Sequence, residues 1–245
     1  MSSEQSFFLE TKPSRLFFRA AIPGAVGMIA SNIYFSLEML LVGRFLGQTA
    51  FAGGNLAMPL LLIAYAVADM IAVGSSIGIA LRLGEGRREE ADRIFTAAVI
   101  SASVLGTLAA VLLTATGPFF FRLMGADAAL TKEAMTYLGV YTIFMPLTCL
   151  VFVFDNYLRI CGRVRFSMAM NIVLALLCLS LEFIFLYVFR LGIGFAALGT
   201  SLGMSITCII CMFPFIRGKM SLRFVRLRFS TNVLRRSSHR DFRAS

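Results

Sequence analysis

The sequence predicts an all-α, polytopic membrane protein with six transmembrane helices, and three observations support this fold class. The 245 residues are 58% hydrophobic and only 15% charged, and their mean hydropathy is +0.83. Soluble domains are about 45–50% apolar and about 25% charged. The apolar residues form six long runs, and the basic residues cluster at alternate ends of those runs. The composition excludes a soluble enzyme, a disordered tail and a secreted disulfide scaffold.

Each of the six runs is long enough to cross a bilayer as a helix, which takes about 20 apolar residues. The runs are Ala20–Val42, Ala57–Leu81, Ile94–Phe121, Tyr137–Leu158, Phe166–Phe189 and Ala196–Ile216. Several exceed the minimum length, so we expect tilted helices or ends that extend beyond the bilayer. We expect no cleavable signal peptide, because Met1–Arg19 contains two glutamates and lacks a long apolar core.

The positions of the basic residues predict the orientation of the helices. Nineteen of the 23 Lys and Arg residues lie in the N-terminal segment, in the loops after spans two and four, and in the C-terminal tail. The four on the other side are Arg44, Arg122, Lys132 and Arg190. Because cytoplasmic loops are enriched in basic residues, we expect both termini in the cytoplasm, at a bacterial-type plasma (inner) membrane. The formal charge of +10 is then mainly a topology signal.

The charge pattern divides the chain into three regions. A cytoplasmic N-terminus at 1–19 precedes a six-helix transmembrane lobe at 20–217, and a basic cytoplasmic tail follows at 218–245. We expect the tail to be a solvated linker or juxtamembrane segment. Binding of the tail to anionic lipid head groups or to nucleic acid is the alternative, although no nucleic-acid partner is predicted for the protein.

Four acidic residues lie within or near the spans, which contain no Lys, Arg or His. They are Glu38, Asp69, Asp155 and Glu182. A charge at the bilayer centre costs roughly 2.5–3.5 kcal/mol, so an unpaired acid there must face a cavity, stay protonated or bind a cation. Since burial favours the neutral form of a carboxyl group, reversible proton binding is the expected function of such residues.

Glu38 and Glu182 are predicted to lie at similar depth in the outer half of the membrane. At about 1.5 Å per residue, they lie about 9 Å and about 12 Å below the outer ends of their helices. We expect them to line one cavity. Tyr34, Asn171 and Asp69 are further candidates to line a cavity, with packing or hydrogen bonding between helices as the alternative.

Asp155 has a different expected role from the two glutamates. It lies one helical turn from Arg159, at the cytoplasmic edge of the fourth span. Opposite charges at this spacing attract each other on a helix surface. We therefore expect an ion pair between the two side chains at the membrane interface.

The remaining motifs provide no catalytic or metal-binding pattern. Cys208 and Cys211 form a C-x-x-C pattern, but they lie in an apolar span without nearby His, Asp or Glu, so packing is expected rather than zinc binding. The glycines at 84 and 86 lie in a charged loop that follows no strand, which is unlike a phosphate-binding loop. The single histidine, His239, lies in the tail. We predict neither an enzyme nor a metal or organic cofactor.

Seven short motifs follow one another along the chain in a specific order and spacing. They are A-I-P-G at 21–24, Y-F-S-L-E at 34–38, V-G-R at 42–44, L-G-E-G-R at 83–87, L-R-x-x-G at 158–162, L-E-F-I-F at 181–185 and G-I-G-F-A-A-L-G-T at 192–200. Over about Pro13–Arg228, the chain resembles the multidrug and toxic compound extrusion (MATE) transporters. The resemblance implies one lobe of a fold in which two six-helix lobes are related by a pseudo-twofold axis along the membrane normal. It also implies antiport of cationic, lipophilic compounds against protons or sodium.

The resemblance implies roles for five residues. Glu38 takes the position of an acid on helix one, and Glu182 that of an Asp on helix five. Cys178 takes the position of an Asn one turn before that Asp, and Thr200 that of a hydroxyl on helix six. Pro23 corresponds to a proline at which helix one is proposed to bend. Because sulfur is a poor ligand for a hard cation, the proton is expected as coupling ion rather than sodium.

The family is about twice as long as this chain, which leaves three interpretations. The expected function is efflux by a half-length chain that pairs as a parallel homodimer or with a separate second lobe. Its expected partners are cationic, lipophilic small molecules and membrane lipids. An inactive or regulatory truncated fragment is the alternative. A flippase for lipid-linked precursors is a further alternative, which would be expected to carry cationic side chains in its cavity for a pyrophosphate.

Overall fold

The computed structural model describes residues 13–218 and 220–225 and confirms the predicted all-α membrane fold. In that part of the chain, six long helices follow one another: α1 (Pro13–Leu46), α2 (Gln48–Gly84), α3 (Arg88–Leu123), α4 (Ala128–Ile160), α5 (Val164–Phe183) and α6 (Ile193–Ile216). After α5, the chain continues in a wider π-helical turn, Ile184–Val188. Each predicted span overlaps one of these helices, and the fifth span continues beyond α5 through the π-helical turn. All six helical segments are long and apolar enough to cross a membrane.

The first four helices extend at both ends beyond the apolar runs that predict them. The longest, α2, has 37 residues and is about 55 Å long, whereas a hydrocarbon core is about 30 Å thick. Backbone hydrogen bonding continues each of these helices into polar residues at its ends. Because those residues are not apolar, a prediction based on hydropathy ends before them. α1 is helical at position 23, but the side chain of Pro23 lies outside the described residues, so its hinge role stays a prediction.

α4 and α6 form the interior of the lobe. In their most apolar stretches 61% of the residues are buried, compared with 28% in α3 and in the helix formed by α5 and its π-helical turn. α4 packs against α2, α3 and α6, while α1 packs mainly against α5. α2 exposes Ile63, Met70 and Ile77, which lie seven residues apart on one face, as expected for contact with lipid. The central position of α4 allows its side chains to reach several helices at once.

Short turns connect neighbouring helices, which therefore run antiparallel. Gly86 and Gly162 each have a φ of 77° in the turns after α2 and α4, in the left-handed region that glycine adopts without steric cost. Asp127 caps α4, since its carboxylate accepts a 2.7 Å hydrogen bond from the backbone N of Leu130. The alternation places the end of α1, the start of α4, the end of α5 and the start of α6 at one end of the lobe.

The segment 220–225 folds back onto the lobe after α6. Leu222 is fully buried. The backbone N of Arg223 donates to Asp92 Oδ1 at 2.8 Å, and that of Val225 donates to Thr96 Oγ1 at 3.1 Å. The beginning of the predicted tail therefore packs against the first turns of α3. Residues 1–12 and 226–245, which include most of the two predicted terminal regions, lie outside the described residues.

Candidate functional site

Glu38 is buried in α1, and its carboxylate accepts hydrogen bonds from three hydroxyl groups. Tyr137 and Tyr141 of α4 donate to Oε1 at 2.9 Å and 3.1 Å, and Thr200 of α6 donates to the same oxygen at 3.1 Å. The Glu38 side chain is 1% exposed. Hydrogen bonds to a charged acceptor are stronger than those between neutral groups. The three donors therefore stabilise a negative charge on Glu38 in an otherwise apolar interior.

Four of the six tyrosines of the chain surround this carboxylate. The rings of Tyr137 and Tyr141 are 5.0 Å apart on α4. Tyr34, a predicted cavity residue, is buried one turn before Glu38 on α1, and its hydroxyl lies beside the carboxylate. Tyr65 of α2 lies within electrostatic range of both Glu38 and Tyr141. The aromatic rings make the surroundings of the carboxylate apolar, while their hydroxyl groups supply polar contacts around one acid.

Glu182 lies on α5, within electrostatic range of Glu38. Unlike Glu38, it lies in surroundings that supply no hydrogen-bond donor among the described residues. Its side chain is fully buried, and neither carboxylate oxygen has a hydrogen-bond partner among the described residues. A buried charge without a partner is strongly unfavourable, and two nearby carboxylates repel each other when both are ionised. Ionisation of both carboxyl groups at once is therefore unfavourable in this arrangement.

Close contact between α5 and α6 positions Glu182 and its neighbour Cys178. A Cβ on Gly199 of α6 would lie 2.9 Å from the backbone N of Glu182, and one on Gly203 would lie 2.5 Å from Cys178 Sγ. Small residues four positions apart allow two helices to approach this closely. The Cys178 thiol in turn donates to the backbone O of Thr200 at 3.5 Å. The predicted residues Cys178 and Thr200 thus lie in the same site as the two glutamates.

Asp69 and Asn171, two further predicted cavity residues, bind other partners. Asp69 Oδ1 accepts a hydrogen bond from Asn156 Nδ2 at 2.9 Å, which joins α2 to α4. This is the contact between helices that was the alternative for Asp69. Asn171 donates from Nδ2 to Asp155 Oδ1 at 2.9 Å. In the described hydrogen bonds, neither residue is connected to the two glutamates.

Asp155 belongs to a second acid cluster, which lies near the end of α4 and the start of α5. This is the other end of the lobe from Glu38 and Glu182. The predicted ion pair is confirmed, with 2.6 Å between Asp155 Oδ2 and a terminal nitrogen of Arg159. The hydroxyl of Ser167 donates to Asp155 Oδ1 and accepts a 3.2 Å hydrogen bond from Arg159 Nε. The positive charge of Arg159 therefore compensates the negative charge of the Asp155 carboxylate.

The residues that sequence reasoning missed are Tyr137 and Tyr141, the two tyrosine donors to Glu38. Their signal is two hydroxyl groups four residues apart in an apolar span, which places them on one face of α4. Gly199 and Gly203 provide a similar signal, because small residues at the same spacing mark a close helix contact. Neither pattern identifies the partner that its residues contact.

The MatE family model matches residues 23–184, a segment that includes Glu38, both tyrosine donors and Glu182. This chain belongs to the MatE family. The match confirms the resemblance that the sequence motifs indicate, and the members of this family are transporters rather than enzymes. The fold described above therefore corresponds to one six-helix lobe of the MatE family.

Curated relatives and solved structures agree with this MatE assignment. The chain is 22% identical over 232 residues to the multidrug export protein MepA of Staphylococcus saprophyticus, covering 92% of this chain and 51% of the relative. Identity to MepA of Staphylococcus haemolyticus is 22% over 225 residues, covering 91% and 50%. The chain spans about half the length of the curated relatives that it matches.

Two solved structures show how closely the lobe follows the MatE fold. A MOP superfamily transporter from Pyrococcus furiosus matches with a TM-score of 0.82 and 25% identity, over 92% of this chain and 50% of that one. A MATE transporter in complex with MaD3S has a TM-score of 0.84 at 24% identity, over 93% and 52% of the two chains. The second likeness shows the fold alone.

Proposed function

We propose that this lobe provides the proton-binding site of a transporter that exports cationic, lipophilic compounds by antiport. The observation that carries the proposal is the buried pair Glu38 and Glu182, in which one carboxylate has three hydroxyl donors and the other has no partner among the described residues. The relatives named above are multidrug export proteins, which supports the substrate class. A plasma (inner) membrane with both termini in the cytoplasm accords with the distribution of basic residues.

The different surroundings of the two carboxyl groups suggest how protonation drives the cycle. In the deprotonated pair, Glu38 holds a negative charge that attracts a cationic substrate to the lobe. When a proton enters from outside, the neutral carboxyl group of Glu38 becomes a weaker acceptor, so its three hydroxyl donors bind it less strongly. The hydroxyl contacts that link α1 to α4 and α6 then change, α1 bends with Pro23 as the hinge, and the substrate leaves. Proton loss to the cytoplasm restores the first state.

The composition of the site favours the proton as coupling ion over sodium. Sodium prefers oxygen ligands, as hard cations do. Cys178 places a thiol one turn before Glu182, at a position where a sodium site would benefit from an amide oxygen. The two carboxylates also repel a pyrophosphate, so the flippase alternative is not favoured.

The substrate pathway in this proposal lies between the lobe and a second six-helix lobe. A second copy in a parallel homodimer or a separate polypeptide segment supplies that lobe. Because the axis that relates the lobes runs along the membrane normal, both present their protonatable sites at the same depth. Crosslinking in native membranes reports whether two lobes associate.

The test measures uptake of a cationic dye into inverted membrane vesicles under an imposed proton gradient. We expect Glu38→Gln and Glu182→Gln each to reduce dye transport to background without lowering the amount of protein in the membrane. Glu89→Gln is the matched control, because Glu89 is 93% exposed and lies far from the site. Transport retained in both site variants would contradict the proton-binding role, and transport driven only by sodium would contradict the choice of ion. No transport by the unmodified chain would favour the inactive-fragment alternative.

A further inference from the structure

An open groove with two arginines lies beyond the end of α6, far from the Glu38 and Glu182 site. Its volume is about 660 Å³, and its lining includes Met212, Phe215, Ile216, Arg217, Arg223 and Phe224. Between Thr200 and Arg217, α6 rises by about 25 Å, so the groove belongs to the opposite end of the lobe. We propose that it binds the head group of an anionic phospholipid, a role independent of the transport function proposed above.

The folded-back segment 220–225 gives the groove a defined wall. Gly218 has a φ of 63°, which turns the chain after α6. Arg223 then packs against this glycine, so closely that a Cβ on Gly218 would lie 3.3 Å from Arg223 Nε. The backbone hydrogen bond from Arg223 to Asp92 and the buried side chain of Leu222 hold the segment in place. The second arginine is therefore positioned by packing and hydrogen bonding.

The two arginines carry uncompensated positive charge. Neither Arg217 nor Arg223 forms an ion pair with a carboxylate in the part of the chain that the structure describes. The guanidinium carbon of Arg217 lies 4.1 Å from the centre of the Phe213 ring, a cation–π contact that orients the side chain. Asp92, the acid in contact with the segment, uses Oδ1 to accept the backbone amide of Arg223. Since guanidinium groups match the geometry of phosphate oxygens, the charge favours a phosphate-bearing ligand.

An apolar stripe beside the arginines favours a lipid over a free anion. Ile209, Phe213 and Ile216 are 52%, 49% and 60% exposed, and their spacing places them on one face of α6. The stripe runs from the groove toward the middle of the lobe, along the direction that an acyl chain takes from its head group. The predicted orientation places this end at the cytoplasmic leaflet, where anionic lipids attract basic residues. A free phosphate has no acyl chain that could contact the stripe.

Fluorescence quenching by brominated lipids tests the proposal. Because the chain contains no tryptophan, the substitution F213W introduces a single reporter beside Arg217 while retaining an aromatic face for the guanidinium. The full chain is reconstituted in phosphatidylcholine vesicles that contain small, equal fractions of brominated phosphatidylglycerol or brominated phosphatidylcholine. We expect the phosphatidylglycerol to quench more strongly at every fraction.

Charge-removing variants assign this preference to the groove. In the reporter background, R217Q and R223Q should each lower the relative affinity for phosphatidylglycerol about fivefold. The matched control is the pair R88Q and R165Q, which removes two exposed charges at the same end of the lobe but outside the groove. We expect the control pair to leave the preference unchanged.

Three results would overturn the proposal. The first is equal quenching by the two lipids, and the second is a preference for phosphatidylglycerol that survives in the R217Q and R223Q double variant. The third is a preference that millimolar inorganic phosphate removes, because this would assign the groove to a free anion. Native mass spectrometry of the chain with Phe213 intact gives a second measurement that needs no reporter. It should show phosphatidylglycerol retained over phosphatidylcholine, with retention lost in the double variant and kept in the control pair, and equal retention would count against the groove.

Discussion

The lobe contains two acid clusters, and they differ in how their negative charge is compensated. Asp155 lies 2.6 Å from a guanidinium nitrogen of Arg159, whereas Glu38 and Glu182 contact no cationic side chain among the described residues. Removal of one partner of such an ion pair leaves the charge of the other uncompensated. A carboxylate pair without a cation can change its proton content. Charge compensation therefore separates a structural cluster from a candidate functional one, although both use α4 and α5.

The largest loss of stability is expected from breaking the compensated cluster. Asp155→Ala should lower the free energy of unfolding by about 3 kcal/mol, because it leaves Arg159 partly buried and unpaired. Denaturant unfolding in detergent micelles measures this change. In the double variant Asp155→Leu with Arg159→Met, much of the stability should return. A double variant no better than the single one would show that the ion pair is not the source of the effect.

The second prediction concerns the helix contact that holds the uncompensated cluster. Gly203→Ala should cost about 2 kcal/mol, because the new Cβ would overlap Cys178 and force α5 away from α6. The same unfolding experiment measures this loss, and dye transport should fall with it. Gly74→Ala is the matched control, since a Cβ there has no neighbour within 4 Å. Equal effects of the two substitutions would indicate a change in helix propensity rather than a clash.

The third prediction concerns the hydroxyl donors to Glu38. Tyr137→Phe and Tyr141→Phe should each cost about 1.5 kcal/mol, since each removes one hydrogen bond to a buried carboxylate. Transport should fall more steeply with the two substitutions combined. Tyr187→Phe, at a 57% exposed residue, is the control. Unchanged unfolding and transport in both site variants would mean that these hydroxyls do not support the carboxylate.

The smallest change in stability is expected at Glu182, together with a complete loss of function. Glu182→Gln should alter the free energy of unfolding by no more than about 0.5 kcal/mol or increase it, because the carboxyl group has no partner to lose. Thermal unfolding and dye transport, measured on the same preparation, test the two parts. A loss of stability as large as that of Asp155→Ala would remove the contrast between the clusters.

Local patterns in the sequence predict most of the fold and part of the site. Long apolar runs identify the six helices because crossing a hydrocarbon core requires continuous apolar surface. The pair of Asp155 and Arg159 follows from helical spacing, and the similar depth of Glu38 and Glu182 follows from helix rise and antiparallel order. The assignments of Cys178 and Thr200 rest instead on family motifs.

The remaining contacts join residues that lie far apart along the chain. Tyr137 and Tyr141 are 99 and 103 residues from Glu38, and no local spacing encodes which helix they face. The partner of Asp69, on α4, is 87 residues away. Hydropathy predicts that such polar groups need a partner, but the partner depends on how the helices pack.

The sequence by itself determined the number of helices, the expected orientation and which residues would be costly to bury, because these depend on composition and on spacing within one helix. Only the tertiary structure decided which carboxylate receives hydroxyl donors, which has none and which pairs with an arginine. It also decided that residues 220–225 return to the lobe and form a groove with Arg217 and Arg223. The physical reason is that compensation of a buried charge depends on side chains brought together from different helices.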